Sequence, residues 1–243
     1  MIKFLLLCSG LFYCQLLFSQ DIIITGGGAG HFTVGPAYIY SANTTKYLRG
    51  STLLGSGYNG PPPALQIGGE GYAMINKFLV GGGGFAIGGF ESGAGGGAAN
   101  ISGAAGYFKF GYRFWSRETS FMTISGGAGA FGYNLELKNE SAENGIAFDK
   151  ASPVSIGETR KYKFGSALFD LSYGFKTMLL GSKDANGFGG ILAGLDAGCL
   201  LDVPVGGWKS GTGPLPTGPP SPGLVVVPYF RLTFGGGGFG FRN

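Results

Sequence analysis

An all-β fold, an antiparallel up-and-down transmembrane β-barrel of about eight strands with a filled lumen, follows from three observations. Glycine supplies 51 of 243 residues, while charged residues are only 12%. The remaining hydrophobicity is spread over eight short period-two segments. The connections between those segments alternate strictly between short and long, as in barrels that cross a membrane.

The composition removes the competing classes. Glycine stands at about three times its usual share of about 7%. Each interior glycine costs a helix about 1 kcal/mol relative to alanine, so a helical protein is disfavoured. Collagen needs glycine at every third position, and the run 81–84 breaks that period. Disorder of the whole chain conflicts with a hydrophobic content of 44% and a mean hydropathy of +0.22. A net charge of +4, with no basic cluster, gives no footprint for nucleic acid.

The chain opens with Lys3, an apolar stretch over 4–18, then Ser19, Gln20 and Asp21, the three-part form of a secretory leader. The apolar run of about 15 residues is shorter than the roughly 20 a spanning helix needs. Residues 1–19 are therefore read as a signal peptide, and 20–243 as a single barrel domain. Tyr13 before Cys14 is too large for a lipoprotein site. Cys8 and Cys14 leave with the leader, so Cys199 has no partner for an intramolecular disulfide.

The eight strand segments fall at 21–34, 64–75, 78–90, 103–114, 119–135, 164–179, 188–202 and 223–241. The short connections are 76–77, 115–118 and 180–187, assigned to the periplasmic side. The long ones, 35–63, 91–102, 136–163 and 203–222, are assigned to the outside. Eleven of the twelve prolines fall in the long connections, as expected of a residue that cannot donate to a ladder. Pro228 is the exception, and is expected near the outer rim.

Parity separates two faces. Phe108, Phe110, Tyr112 and Phe114 oppose Lys109 and Arg113. Phe169, Leu171, Tyr173 and Phe175 oppose Asp170, Ser172 and Lys176. Leu65, Ile67, Ala73 and Ile75 oppose Gln66 and Glu70. Ile191, Leu195 and Leu201 oppose Asp196, and Phe230, Leu232 and Phe234 oppose Arg231 and Thr233. A soluble sandwich would bury the aromatic face and wet the charged one; a membrane barrel does the reverse. Parity alone does not choose, and the leader with the loop alternation favours the barrel. Its lumen would then hold an ion-pair network of Glu70, Lys109, Arg113, Asp170, Lys176, Asp196 and Arg231, closing a bore just wide enough for side chains. Glycine runs inside the strands relieve crowding in so narrow a sheet. Phe239 and Phe241 have the opposite parity to Phe234, so a bulge or an additional short strand is expected over 235–238.

This pattern, over about 21–241, resembles the small eight-stranded outer-membrane barrels, the class of the OmpA transmembrane domain and OmpX. The resemblance implies a Gram-negative outer membrane, contact with its lipid, and delivery by the barrel-assembly machinery. Phe239 and Phe241 resemble the aromatic assembly signal of the class, although Arg242 and Asn243 follow where the class places an aromatic last. The Ser19-Gln20 ending is similar to exported proteins of Bacteroidetes-type bacteria. No shared activity is implied, since one barrel fold hosts unrelated functions.

Motifs for chemistry are sparse. His31 is the sole histidine, and a lipid-modifying enzyme would need it beside a serine such as Ser172 or Ser125. No G-x-S-x-G surrounds any serine. One histidine and one mature cysteine do not make a usual transition-metal set, and the glycine run 26–28 lacks the lysine of a phosphate loop. Cys199 shares the apolar face with Ile191 and Leu195. No catalytic, cofactor or metal residues are assigned. Function is expected in the external loops, as a surface for a protein or other ligand. The mixed-charge loop 136–163 and the proline-rich loop 203–222 with Trp208 are the candidates. The resulting reading is a structural, adhesive or complex-supporting outer-membrane protein, porin-like in layout but not an open diffusion pore. A barrel enzyme acting on lipid and a secreted glycine-rich structural protein are the alternatives.

Overall fold

The computed structural model describes residues 23–117, 119–141, 154–183, 186–210, 213–214 and 221–242. The leader read over 1–19 lies outside these residues. Among the described residues, eleven strands and one helix follow in chain order. The strands are β1 (Ile23–Ala37), β2 (Tyr40–Ser41), β3 (Ala64–Ile75), β4 (Phe78–Gly88), β5 (Ser92–Ala94), β6 (Gly97–Arg117), β7 (Ser120–Asn139), β8 (Thr159–Lys183), β9 (Gly187–Ser210), β10 (Gly213–Pro214) and β11 (Val225–Arg242). The helix, α1 (Ala42–Arg49), follows β2.

Eight long strands pair antiparallel with their neighbours in the order β1-β3-β4-β6-β7-β8-β9-β11. Pairing of β11 with both β9 and β1 closes the ring. The fold is an up-and-down barrel, and closure satisfies the backbone groups that an open sheet would leave at its edges. The β3–β4 hairpin turns in two residues, with Asn76 at φ 52, a left-handed position that asparagine tolerates.

Four strands run further than the alternation of apolar residues suggests. Segments 103–114, 119–135, 164–179 and 188–202 become 97–117, 120–139, 159–183 and 187–210. The long connections shrink accordingly, and 35–63 contains α1. The reason is an inversion of polarity along a single strand. In the lower part of β8, Phe169 and Leu171 are exposed while Asp170 and Ser172 are buried. Higher up, Lys161 and Lys163 are exposed while Tyr162 and Phe164 are buried. On β7, Ile124 is exposed between the buried Thr123 and Ser125, whereas Leu135 and Leu137 are buried beside the outward Glu136 and Lys138. Below this level, no charged residue faces outward on Gly26, Gly28, Gly30, Phe32, Val34 and Pro36 of β1, nor on Ala193, Leu195, Ala197, Cys199, Leu201, Val203 and Val205 of β9.

Three prolines assigned to connections lie in strands: Pro36 in β1, Pro204 in β9 and Pro214 in β10. Beyond Asp202, β9 no longer pairs β11, so Pro204 sits where one side of the strand is open. Pro228 is exposed within β11, opposite Cys199.

The ladder of β11 with β9 runs without a shift from Val225 to Gly240. The bulge or additional strand expected over 235–238 is therefore absent. Phe239 keeps the inward parity of Arg231 and Thr233 and is buried. The apparent switch arises because Gly235 and Gly237, which share that parity, carry no side chain. The side chain of Phe241 lies outside the described residues.

The lumen is filled in three tiers. The lower tier is apolar, with Met74, Leu79, Phe121, Phe188, Leu192 and Phe239 among its members. The upper tier is also apolar and larger, built on Phe85, Phe131, Tyr133, Leu135, Phe164 and Trp208. The aromatics that sequence parity placed on the outer face, such as Phe108, Phe110, Phe169 and Phe234, are exposed, and the rings that fill the bore are ones it did not assign. The chain from α1 onward closes the upper tier, burying Leu48, Leu53, Leu54 and Tyr58 against it. Ser41 caps α1 by accepting from Thr44 N–H, and its hydroxyl donates to Pro222 C=O at 2.8 Å. Burial raises the Tyr58 phenol, in this outer cap, above its ordinary range. A cavity of about 10 Å³ remains between Thr44, Ile101, Tyr133 and Trp208, room for about one water.

Candidate functional site

Between the apolar tiers lies the charged layer. All seven residues predicted for the lumen are buried: Glu70, Lys109, Arg113, Asp170, Lys176, Asp196 and Arg231. Lys109 Nζ is 3.0 Å and Arg231 Nη2 2.8 Å from the Glu70 carboxylate. Lys176 Nζ lies 2.6 Å from Asp196 Oδ2 and donates to Thr233 Oγ1 at 3.0 Å. The Tyr229 hydroxyl donates to Asp170 Oδ1 at 2.8 Å, and the Arg231 guanidinium sits 4.3 Å over the Tyr229 ring. Tyr107 donates to Glu70, and Arg231 Nη1 donates back to Tyr107 at 3.4 Å. Arg113 is apart from this set, near the lower turn, with Nη2 3.4 Å from Asn76 C=O. Three acids thus face three bases in the layer. A buried ion costs several kcal/mol unless paired and hydrogen-bonded, and this balance meets that demand.

Four of the glycines belong to the charged layer. In register, Glu70 faces Gly83, Asp170 faces Gly127, Lys176 faces Gly194 and Asp196 faces Gly174. A Cβ built on Gly83 would stand 2.8 Å from Glu70 Cγ, and one on Gly194 would stand 2.6 Å from Lys176 Cδ. On Gly174 it would meet Asp196 Oδ1 at 2.5 Å. Glycine on the neighbouring strand supplies the space that each charged side chain fills.

Sequence reasoning missed several members. Asp202 is buried and accepts from Tyr133, and its even number, shared with Asp196, was the available signal. Tyr107 and Tyr229 share parity with Lys109 and Arg231, which marks them as inward. His31 is buried on the lumen side, its Nε2 3.6 Å from Glu70 Oε2. Ser125 and Ser172 bond each other at 2.9 Å rather than meeting His31.

His31, Glu70 and Asp196 bring donor atoms within 4.8 Å of one another, a trio from β1, β3 and β9 that spacing did not reveal. Both carboxylates already hold cations, and the layer is balanced. A divalent ion would add unpaired charge to a buried layer, so the residues present fit an ion-pair network better than a metal centre.

No protein-family model and no curated protein matches the chain. Among solved structures, it is similar to the outer membrane protein OprG from Pseudomonas aeruginosa, with 12% identity and a TM-score of 0.33, covering 93% of this chain and 100% of that one. It is also similar to the outer membrane protease OmpT from Escherichia coli, with 9% identity and a TM-score of 0.33, covering 92% and 99%. A TM-score of 0.33 carries no argument, and the fold rests on the strand pairings.

Proposed function

We propose that the chain is an integral protein of a bacterial outer membrane, closed to diffusion, with a structural, adhesive or complex-supporting role carried by its outer face. The observation that carries this reading is the inversion of polarity along β7 and β8. Apolar residues face outward and charges inward at one level, and the order reverses above it. A soluble sheet has no reason to reverse, whereas a strand leaving lipid for water must. The exposed Phe108, Phe110, Phe169, Leu171, Leu232 and Phe234 supply the lipid contact. The three filled tiers support a closed bore, and no catalytic step is part of the reading.

The test is purification from membranes followed by two assays. The folded protein should migrate differently on gels before and after heating, and should leave vesicle permeability to small sugars at the background level. Recovery as a monomer from the aqueous fraction refutes the membrane assignment. Sugar flux above background refutes the closed lumen.

A further inference from the structure

On the outer face, β8 and β9 bring two lysines into direct register. Lys163 is opposite Lys209, and both side chains are exposed. Their orientation is set by buried neighbours, Tyr162 and Phe164 on β8 and Trp208 on β9. Like charges directly opposite on a ladder repel. Among the described residues neither lysine has an ion-pair partner, whereas Lys161, one repeat further out, is held 2.7 Å from Glu136. The strands go out of step to create this pairing: the register shifts between Lys163 and Gly165, and Gly206 takes φ +90. The residue facing Lys163 from β7 is Asn134, which is uncharged.

The position of the pair is informative. Immediately below it, Gly165 pairs with Val205, which is 69% exposed, and Val203 and Leu201 continue the apolar surface downward. The lysines thus stand where the apolar exterior ends. On the membrane reading, which this inference requires, that is the level of lipid headgroups. Lysine stems lie along apolar surface there and place their ammonium groups in the polar zone.

We propose that Lys163 and Lys209 clamp the phosphate of an outer-leaflet lipid, whose acyl chains lie against Val203 and Val205. Directly opposite residues have Cβ atoms about 5 Å apart, so one lipid phosphomonoester, close to doubly charged at neutral pH, bridges both ammonium groups and removes their repulsion. The apolar surface directly beneath selects a lipid over a dissolved ion, because only a lipid occupies both.

The full mature chain is folded into phosphatidylcholine vesicles with and without roughly a tenth of phosphatidic acid, and retained lipid is read by native mass spectrometry. Each basic contact near an anionic surface contributes about fivefold in affinity, so the wild-type preference for phosphatidic acid should be about thirtyfold. Lys163→Ala and Lys209→Ala should each lose about fivefold, and the double variant nearly all of it. Lys161→Ala, whose partner is Glu136, should keep the preference. A double variant that retains the wild-type preference overturns the clamp. Complete competition by inorganic phosphate at equal concentration overturns the lipid assignment. A chain that enters neither vesicle overturns the membrane reading, and the clamp with it.

Discussion

Gly235 and Gly236 are adjacent on β11 and face opposite sides of the wall, which makes them a matched pair for alanine substitution. A Cβ on Gly235 would lie 2.1 Å from Gly30 O and 2.5 Å from His31 Cα. On Gly236 its nearest neighbour would be Gly190 O at 3.6 Å, an ordinary contact. Relieving the first clash requires β1 and β11 to separate by about 1 Å, which stretches the ladder bonds beside His31 beyond hydrogen-bonding distance. Overpacking of this kind costs about 1–3 kcal/mol, and a broken backbone bond within the closed wall adds to it. Gly235→Ala should therefore lose about 3 kcal/mol, roughly a hundredfold in the folded-to-unfolded ratio. Gly236→Ala should be neutral or stabilising by about 0.5 kcal/mol, since alanine narrows the unfolded ensemble. Urea unfolding in vesicles, followed by the gel shift of the folded form, measures both. Stabilities within about 0.5 kcal/mol of each other would refute the argument that inward glycines are required for space.

The buried pair Lys176–Asp196 offers a second test. Asp196→Asn leaves an ammonium group unpaired in the layer and should cost about 3–5 kcal/mol in the same unfolding assay, while Lys176→Met with Asp196→Leu should recover most of that loss. Equal losses in the single and double variants would refute the pairing. At the outer end of β8, Arg160 Nε donates to Glu158 at 2.7 Å and Ser155 N–H donates at 2.9 Å, and this holds the Glu158 carboxyl below its ordinary range. A lowered folded value means the tether is intact above the unfolded value of about 4.3 and is lost as pH falls through the folded value. A carboxyl titration by NMR should place the Glu158 midpoint below about 4.3; a midpoint at or above it contradicts the tether.

Much of the barrel was legible because two faces of a strand differ by one residue. Phe108, at 83% exposure, and Lys109, at 8%, are adjacent, and parity alone separated them. The same reasoning located every predicted lumen charge. It failed where its assumption changed. The ends of β7 and β8 carry Leu135, Leu137, Tyr162 and Phe164 inward with charges outward, so a search for one fixed polarity stopped too early. It also failed at Phe239, where glycines at the intervening inward positions removed the evidence of continuity.

By itself the sequence determined that eight long strands exist, which two faces they present and seven of the enclosed charges, because these depend on short-range periodicity; the ends of four strands and the buried Asp202 escaped it. The tertiary structure decided the partners. Glu70 of β3 and Arg231 of β11 meet because both strands flank β1, and that adjacency exists only once the sheet closes. Closure likewise decides which glycines must remain glycine, since the space beside a charged side chain belongs to a neighbouring strand. Register across the ring, a long-range property, brings six of these buried charges into one layer of paired and hydrogen-bonded groups.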